Sequence, residues 1–246
     1  MFWDKKSTRV ATALTISAFA IPGTAMASIV VAASGPSAGQ YPAGKKLDDA
    51  ASISLKSGDS VTVLDSRGTR VLRGPGTVAV SAIGRPSRIS VFNTLTQRNN
   101  ASRVRTGAVR AGPSTISKVI NPSMWNVDAT KSGTVCLIDP AMVQVWRPDW
   151  KSDAAYTITS ADGAVRSMVS FKAKETVSDW DVTKLPISDG KAFAIAAPGE
   201  TPARQVTFVV LSQLPQSPED LAATLIEKGC TSQLELLTET LTVTKN

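Results

Sequence analysis

The sequence predicts a mainly β protein with two β-units and a C-terminal helical hairpin. Between residues 28 and 83, and again between 121 and 211, short apolar or alternating runs are separated by turns rich in Gly, Pro and Asp. After residue 217 the apolar residues recur at spacings of three and four, which is typical of amphipathic helices. The chain has 246 residues, 42% of them hydrophobic and 19% charged, which indicates a folded protein rather than a disordered one.

Residues 1–27 have the layout of a secretory signal peptide. Three basic residues precede an uncharged apolar run at 10–21, Pro22 interrupts this run, and the A-x-A sequence at 25–27 fits a cleavage site. A membrane anchor is the alternative, but it needs about 20 apolar residues. We therefore expect cleavage after Ala27 and a periplasmic or secreted protein without a transmembrane span.

Residues 28–83 are predicted to form a small β-unit. Ile53 and Leu55 alternate with polar residues, as in a half-buried strand. Asp65-Ser66-Arg67-Gly68 is typical of a hairpin turn between two strands. The strands are expected at 29–31, 52–56, 60–64, 69–73 and 77–80.

Residues 41–80, YPAGKKLDDAASISLKSGDSVTVLDSRGTRVLRGPGTVAV, resemble a FecR-type periplasmic β-domain in their alternation and turn glycines. The resemblance implies a β fold and a location outside the cytoplasm. The arrangement as a whole is similar to exported bacterial proteins that carry such a unit before a second β-domain.

Residues 84–120 are predicted to be a basic linker with one weak helix. The sequence from 66 to 127 has ten basic residues and no acidic one, so it generates a local positive field. In an exported protein this favours an anionic polysaccharide over nucleic acid as partner. The candidate polyanion-binding residues are Arg98, Arg103, Arg105 and Arg110. The alternative is a solvated linker whose charges offset the acidic C-terminal helices.

Residues 121–211 are predicted to form a β-sandwich of the immunoglobulin-like kind, because six or seven strands over about 90 residues suit that architecture. Residues 185–197, LPISDGKAFAIAA, resemble a strand entry of bacterial Ig-like and fibronectin-type domains, with Phe193 where Tyr is usual. The candidate strands are 134–138, 143–147, 156–159, 165–173, 192–197 and 205–211. Four tryptophans, at 125, 146, 150 and 180, are interpreted as sandwich core and rim, with a sugar- or partner-binding aromatic patch as the alternative.

Residues 212–246 are predicted to form a helical hairpin. Ser217 and Pro218 fit the N-cap and first position of a helix that ends at Lys228-Gly229, and Ser232 with Glu235 fits a capping box for a second helix. The Leu-rich stripes are expected to pack on the sandwich domain. Cys136 and Cys230 are an even pair in an oxidising compartment, so a disulfide between them is expected to attach the hairpin to the sandwich.

The composition argues against an enzyme. The chain has no histidine, which excludes His bases, Ser-His-Asp triads and His-ligated metals. Ser188 and Lys191 have the S-x-x-K spacing of acyl-transfer enzymes, but Asp-Gly between them predicts a turn. The carboxylates of Asp149, Asp153, Asp179 and Asp181 are candidates for glycoside hydrolysis or for calcium binding. We interpret them instead as solvated turn acids. No catalytic, cofactor-binding or metal site is predicted.

We therefore expect a non-enzymatic envelope protein that works as a protein-interaction module, in envelope sensing or assembly. The alternative is the binding of an anionic envelope polymer through the basic segment 85–118.

Overall fold

The computed structural model describes residues 27–81, 86–97 and 119–242, and it is mainly β, with several sheets and two C-terminal helices. The predicted signal peptide falls outside the described residues, except for Ala27. In the part of the chain that is described, no helix is long and apolar enough to cross a membrane.

The N-terminal unit contains two sheets. The larger sheet has the order β2-β1-β4-β5 and the smaller one pairs β3 with β6, all antiparallel. Their bounds are β1 Ala27–Ser34, β2 Lys46–Asp48, β3 Ser52–Leu55, β4 Ser60–Asp65, β5 Gly68–Arg73 and β6 Gly76–Ala79. Every strand predicted in this unit is present, and β2 is an additional one.

The hairpin β4–β5 has the predicted two-residue turn, because Asp65 pairs with Gly68 across it. The start of β1 packs against this hairpin through a buried polar network. The Arg70 guanidinium donates to the Asp65 carboxylate at 2.7 Å and to the Val80 carbonyl oxygen, and the Ser28 hydroxyl contacts Arg70 and Asp65 at 3.3 and 3.4 Å. Because the charges of Arg70 and Asp65 compensate each other, both side chains tolerate burial.

The second β-unit is built from two sheets that enclose one apolar core. A five-stranded sheet has the order β11-β10-β13-β14-β8, in which β14 and β8 are parallel, and a three-stranded sheet has the order β12-β9-β7. The bounds are β7 Val127–Asp128, β8 Gly133–Leu137, β9 Gln144–Trp146, β10 Ala154–Ser160, β11 Arg166–Phe171, β12 Val177–Asp179, β13 Ala192–Ala196 and β14 Arg204–Val210. All six candidate strands are found, and each of their ends lies within two residues of the expected position.

Aromatic side chains fill the centre of this core. Trp180, Phe193 and Phe208 are nearly inaccessible and meet edge to face, with ring centroids 5.0–5.8 Å apart. The Trp180 indole N–H donates to the Leu185 carbonyl at 2.9 Å, so its burial leaves no donor unpaired. Phe193 is therefore a core residue.

The described residues also form three α-helices: α1 Ile89–Thr96, α2 Pro218–Lys228 and α3 Thr231–Thr240. α1 lies in the segment expected to be a linker with one weak helix. For α2 the predicted ends are confirmed, because the Ser217 side chain accepts from the Asp220 N–H and Gly229 is left-handed at the C-cap. The capping box at Ser232 and Glu235 is wrong: α3 begins two residues earlier than it predicts, with Cys230 at its N-cap and no side-chain cap.

The helical hairpin packs between the two β-units and not only on the second one, which corrects the expectation from the sequence. α2 packs on β1 and β4, while α3 packs on β8 and β5. A shared core joins apolar side chains from the N-terminal sheet, the three helices and the segment before β7. The predicted disulfide is present, with the Cα atoms of Cys136 and Cys230 5.9 Å apart, and it links β8 to the turn between α2 and α3.

Candidate functional site

A groove of about 770 Å³ lies where the second β-unit meets α3. Part of its wall is formed by α3 residues, and another part by the loop after β9, which carries Pro148, Asp149 and Trp150. The segment before β7, at 119–126, lines a further side. The volume is within the range of sites that hold a small ligand or a short peptide.

The floor of the groove is mainly apolar. Trp146, Met124 and Val135 are buried, whereas Ile120 and Trp150 are 48% and 37% exposed. Among the described residues the Trp146 indole N–H has no hydrogen-bond partner. Trp150 is thus the large aromatic side chain that the groove exposes to solvent. The interpretation of the tryptophans as a binding patch therefore applies to Trp150, whereas Trp125, Trp146 and Trp180 are buried in the interior.

The loop that carries Trp150 is fixed by a buried guanidinium. Arg147, only 1% exposed, donates from Nη2 to the carbonyl oxygens of Ser152 at 2.7 Å and Lys172 at 3.1 Å, and from Nε to that of Glu175 at 3.2 Å. Its guanidinium also lies 4.8 Å from the centroid of the Phe171 ring. One side chain therefore ties both ends of the Trp150 loop to the loop after β11.

Two further contacts hold the same loop. The Lys174 N–H donates to the Trp150 carbonyl at 2.7 Å, and Lys174 has φ 73°, a left-handed conformation that a residue with a side chain rarely adopts. The Asp153 carboxylate accepts the Ala173 N–H at 2.8 Å and the Lys172 ammonium at 3.2 Å, and these contacts lower the pKa of Asp153. Because backbone strain persists only where surrounding contacts impose it, the loop has a defined conformation before any ligand arrives.

The rim of the groove is acidic. Four carboxylates and two ammonium groups line it, so its net charge is −2 on a chain whose formal net charge is +7. These charged residues are Asp128, Asp149, Glu235, Glu239, Lys131 and Lys151. Lys131 lies 3.2 Å from Glu235, so these two residues form an exposed ion pair that adds no net charge to the rim.

Gln233 closes the deep end of the groove and was missed by the sequence prediction. Its side-chain amide accepts from the Cys136 N–H at 2.6 Å and donates to the carbonyls of Cys136 and Met124, both at 2.8 Å. It thereby supplies the hydrogen bonds that a further strand would make on the edge of β8. A glutamine in an amphipathic helix gives no pattern that reveals such a role.

The structure separates the sequence-predicted candidates. Arg98, Arg103, Arg105 and Arg110 lie outside the described residues. Ser188 and Lys191 are in a turn in which the Lys191 N–H donates to the Ser188 carbonyl at 3.2 Å, while the Lys191 ammonium donates to the Pro186 carbonyl at 2.9 Å. The amine of Lys191 is thus bound elsewhere and does not serve Ser188 as a base.

Each of the four carboxylate candidates makes local hydrogen bonds or ion pairs. Asp149 accepts the Lys151 N–H at 3.0 Å, and Asp179 accepts from the Gln144 amide at 2.8 Å. Asp181 accepts from the Thr183 hydroxyl and from Lys184, which lowers its pKa to about 2. Of the four, only Asp149 lines the groove, and within the described ranges no group of three or more His, Cys, Asp or Glu is placed to hold a metal ion.

Comparison of the chain with protein-family models, with curated proteins and with solved structures found no match, so the assignment of function rests on the groove and on the sequence.

Proposed function

We propose that this chain is a non-enzymatic exported envelope protein that acts by binding another protein through the groove between α3 and the Trp150 loop. The observation that carries the proposal is a preformed groove with a half-exposed tryptophan on a loop that is fixed by buried hydrogen bonds. Because the loop that carries this aromatic side chain is already fixed, less conformational entropy is lost when a partner binds. Exposed aromatic residues are also the side chains that most often dominate protein interfaces.

The side chains of the groove suit binding better than catalysis. Asp128 and Asp149 each accept the backbone N–H two residues later, at 2.8 and 3.0 Å, and so stabilise their own turns. The hydroxyls of Thr130 and Ser232 have no histidine to activate them, because the chain has none.

An exported location is supported by two observations. Residues 1–27 have the composition and the cleavage pattern of a signal peptide. The buried disulfide between Cys136 and Cys230 suits an oxidising compartment.

The FecR-like assignment of 41–80 and the Ig-like assignment of 121–211 belong to the same proposal. The packing of two sheets in the second unit supports the Ig-like assignment.

Site-specific photocrosslinking in cells tests the interaction. A photoreactive amino acid is placed at Ile120, which lines the groove and is exposed, or at Val165, which is 41% exposed in the β10–β11 turn away from it. We expect one envelope protein, identified by mass spectrometry, to crosslink to position 120 and not to position 165, and the crosslink to disappear in W150A. Equal crosslinking at both positions, or a crosslink unaffected by W150A, contradicts the proposal.

Binding of an anionic envelope polymer through segment 85–118 is the second candidate, and the acid-free run of ten basic residues favours it. Part of this run is used within the fold, because Arg67 pairs with Asp49 at 3.3 Å and Arg88 donates to the Thr242 carbonyl at 2.9 Å. Retention on heparin should fall steeply with salt and be lost when Arg98, Arg103, Arg105 and Arg110 are changed to Ala. Unchanged retention in that variant rejects this candidate.

A further inference from the structure

We propose that the segment bound by the groove is a basic peptide, in which a Lys or Arg side chain lies next to an apolar residue. This inference rests on the proposed function and adds the chemistry of the partner. Its basis is the pairing of an acidic rim with an aromatic and apolar floor in one preformed groove.

Charge complementarity favours a cation. The carboxylates of Asp128 and Asp149 use one oxygen each for a backbone N–H, and Asp128 also accepts from the Thr130 hydroxyl through that same oxygen. A carboxylate has about four lone-pair sites, so both groups can accept further hydrogen bonds. A Lys or Arg side chain provides charged donors that a groove with a net charge of −2 attracts.

The aromatic floor favours the same ligand. Asp149 and Trp150 are adjacent on the fixed loop and both line the groove, so the same wall offers a carboxylate and an indole to a ligand. Trp has the aromatic face that attracts cations most strongly. The paired strands β7 and β9 also place the backbone of Asp128 beside that of Trp146, and both residues line the groove.

A peptide explains the remaining features better than a small cation does. Val119, Ile120 and Leu236 add apolar side chains to the lining, and Ile120 is 48% exposed. A volume of about 770 Å³ also exceeds what one ammonium or guanidinium group fills. An apolar residue beside the basic one would cover this part of the groove.

The test is selection from a displayed library of random twelve-residue peptides against the folded full-length protein. We expect the enriched peptides to contain Lys or Arg next to an apolar residue. Binding of a synthetic enriched peptide should weaken about tenfold or more in W150A, while W150F keeps most of the affinity. Raising the salt concentration should weaken binding to the wild type.

A charge-removing variant with intact turns sharpens the test. D128N/D149N removes two charges, and the asparagine oxygens can still accept the N–H groups that hold both turns. We expect about a tenfold loss of affinity and a smaller dependence on salt. D162N is the matched control, because Asp162 makes the same kind of turn, accepting the Ala164 N–H at 3.0 Å, outside the groove.

The outcomes separate the two proposals. Enriched peptides that need Trp150 but lack basic residues overturn the basic-peptide inference and leave the interaction groove in place. If the library yields no peptide whose binding depends on Trp150, both proposals fail. Equal losses in D162N and D128N/D149N also overturn the inference, because the effect would then not come from the groove.

Discussion

Gln233 shows how much one buried polar side chain determines in this fold. Its amide pairs with the N–H and the carbonyl of Cys136 on the edge of β8 and also reaches the Met124 carbonyl. Because buried backbone groups without partners are costly, α3 is bound to the sheet edge by specific hydrogen bonds as well as by apolar contacts. Arg147 likewise uses buried hydrogen bonds to backbone carbonyls to hold the loop that carries Trp150.

Replacement of Gln233 should therefore destabilise the protein strongly. Q233A leaves the Cys136 N–H and two carbonyls without their partner, and we expect a loss of about 2–3 kcal/mol in the free energy of unfolding. Q216A is the control, since Gln216 is exposed, and it should change stability by less than about 0.5 kcal/mol. Urea unfolding followed by circular dichroism measures both variants, and similar losses in the two would refute the role assigned to Gln233.

Glu219 predicts a dependence of stability on pH. It is half-buried in the first turn of α2, and its burial raises its pKa, with Asp65 nearby adding to the effect. The folded state therefore binds the proton of Glu219 more tightly than the unfolded state does. The stability that comes from this proton is fully present below the unfolded pKa, and it is lost as the pH rises through the folded pKa.

E219Q removes this titration, so the variant should be more stable than the wild type at pH 7. The advantage should shrink as the pH falls toward the ordinary pKa of a glutamate, 4.5. Thermal unfolding between pH 4 and pH 8 measures it. E227Q, at an exposed glutamate of the same helix, serves as the control and should stay within about 0.5 kcal/mol of the wild type at pH 7. An E219Q advantage that does not vary with pH contradicts this assignment.

At the scale of elements, the two serines near the starts of α2 and α3 differ although their local sequences look alike. The Ser217 hydroxyl accepts the Asp220 N–H at 3.1 Å, whereas α3 has Cys230 at its N-cap. The disulfide and the αL turn at Gly229 place Cys230 where α3 must begin, and this position overrides the local capping signal at Ser232.

The matched substitutions S217A and S232A test this difference. S217A removes a side-chain cap and should cost about 1 kcal/mol. S232A removes no cap and should change stability by less than about 0.5 kcal/mol. Equal losses on denaturant unfolding would show that Ser232 also caps its helix.

Most strands could be predicted from the sequence because alternation and turn residues are local signals. β2, β7 and β12 were missed, since each has only two or three residues and owes its pairing to neighbouring strands. The groove could not be predicted either. Trp150, Asp149 and Gln233 come together only because α3 packs across the second β-unit, and this long-range contact leaves no periodic trace in the sequence.

At the scale of the whole molecule, the helical hairpin joins the two β-units. Its core includes Ile29 and Leu64 from the first unit, Cys136 and Leu211 from the second, and Leu221 from α2. An additional pairing connects β5 with the end of the chain, where the Thr69 N–H donates to the Leu241 carbonyl at 2.9 Å. The two β-units should therefore unfold together.

Loss of the disulfide should affect the whole molecule. It joins residues 94 apart, and closing a loop of that length contributes about 4 kcal/mol in the chain-entropy description. C136A/C230A should therefore lower the free energy of unfolding by about this amount. The packing lost at two buried positions contributes to the same loss. Differential scanning calorimetry should still give one transition, at a lower temperature. Two separate transitions in the wild type would contradict the joint unfolding of the β-units.

The position of Ser28 sets an order of events during biogenesis. In the folded protein this residue is fully buried, it pairs with Leu47 of β2, and its hydroxyl contacts Asp49, Asp65 and Arg70. If the chain is cut after Ala27, as we propose, the peptidase must take the Ala27–Ser28 bond into its own active site, which the assembled sheet prevents. On that proposal the cut precedes folding of the first β-unit, and a precursor that folds early would keep residues 1–27.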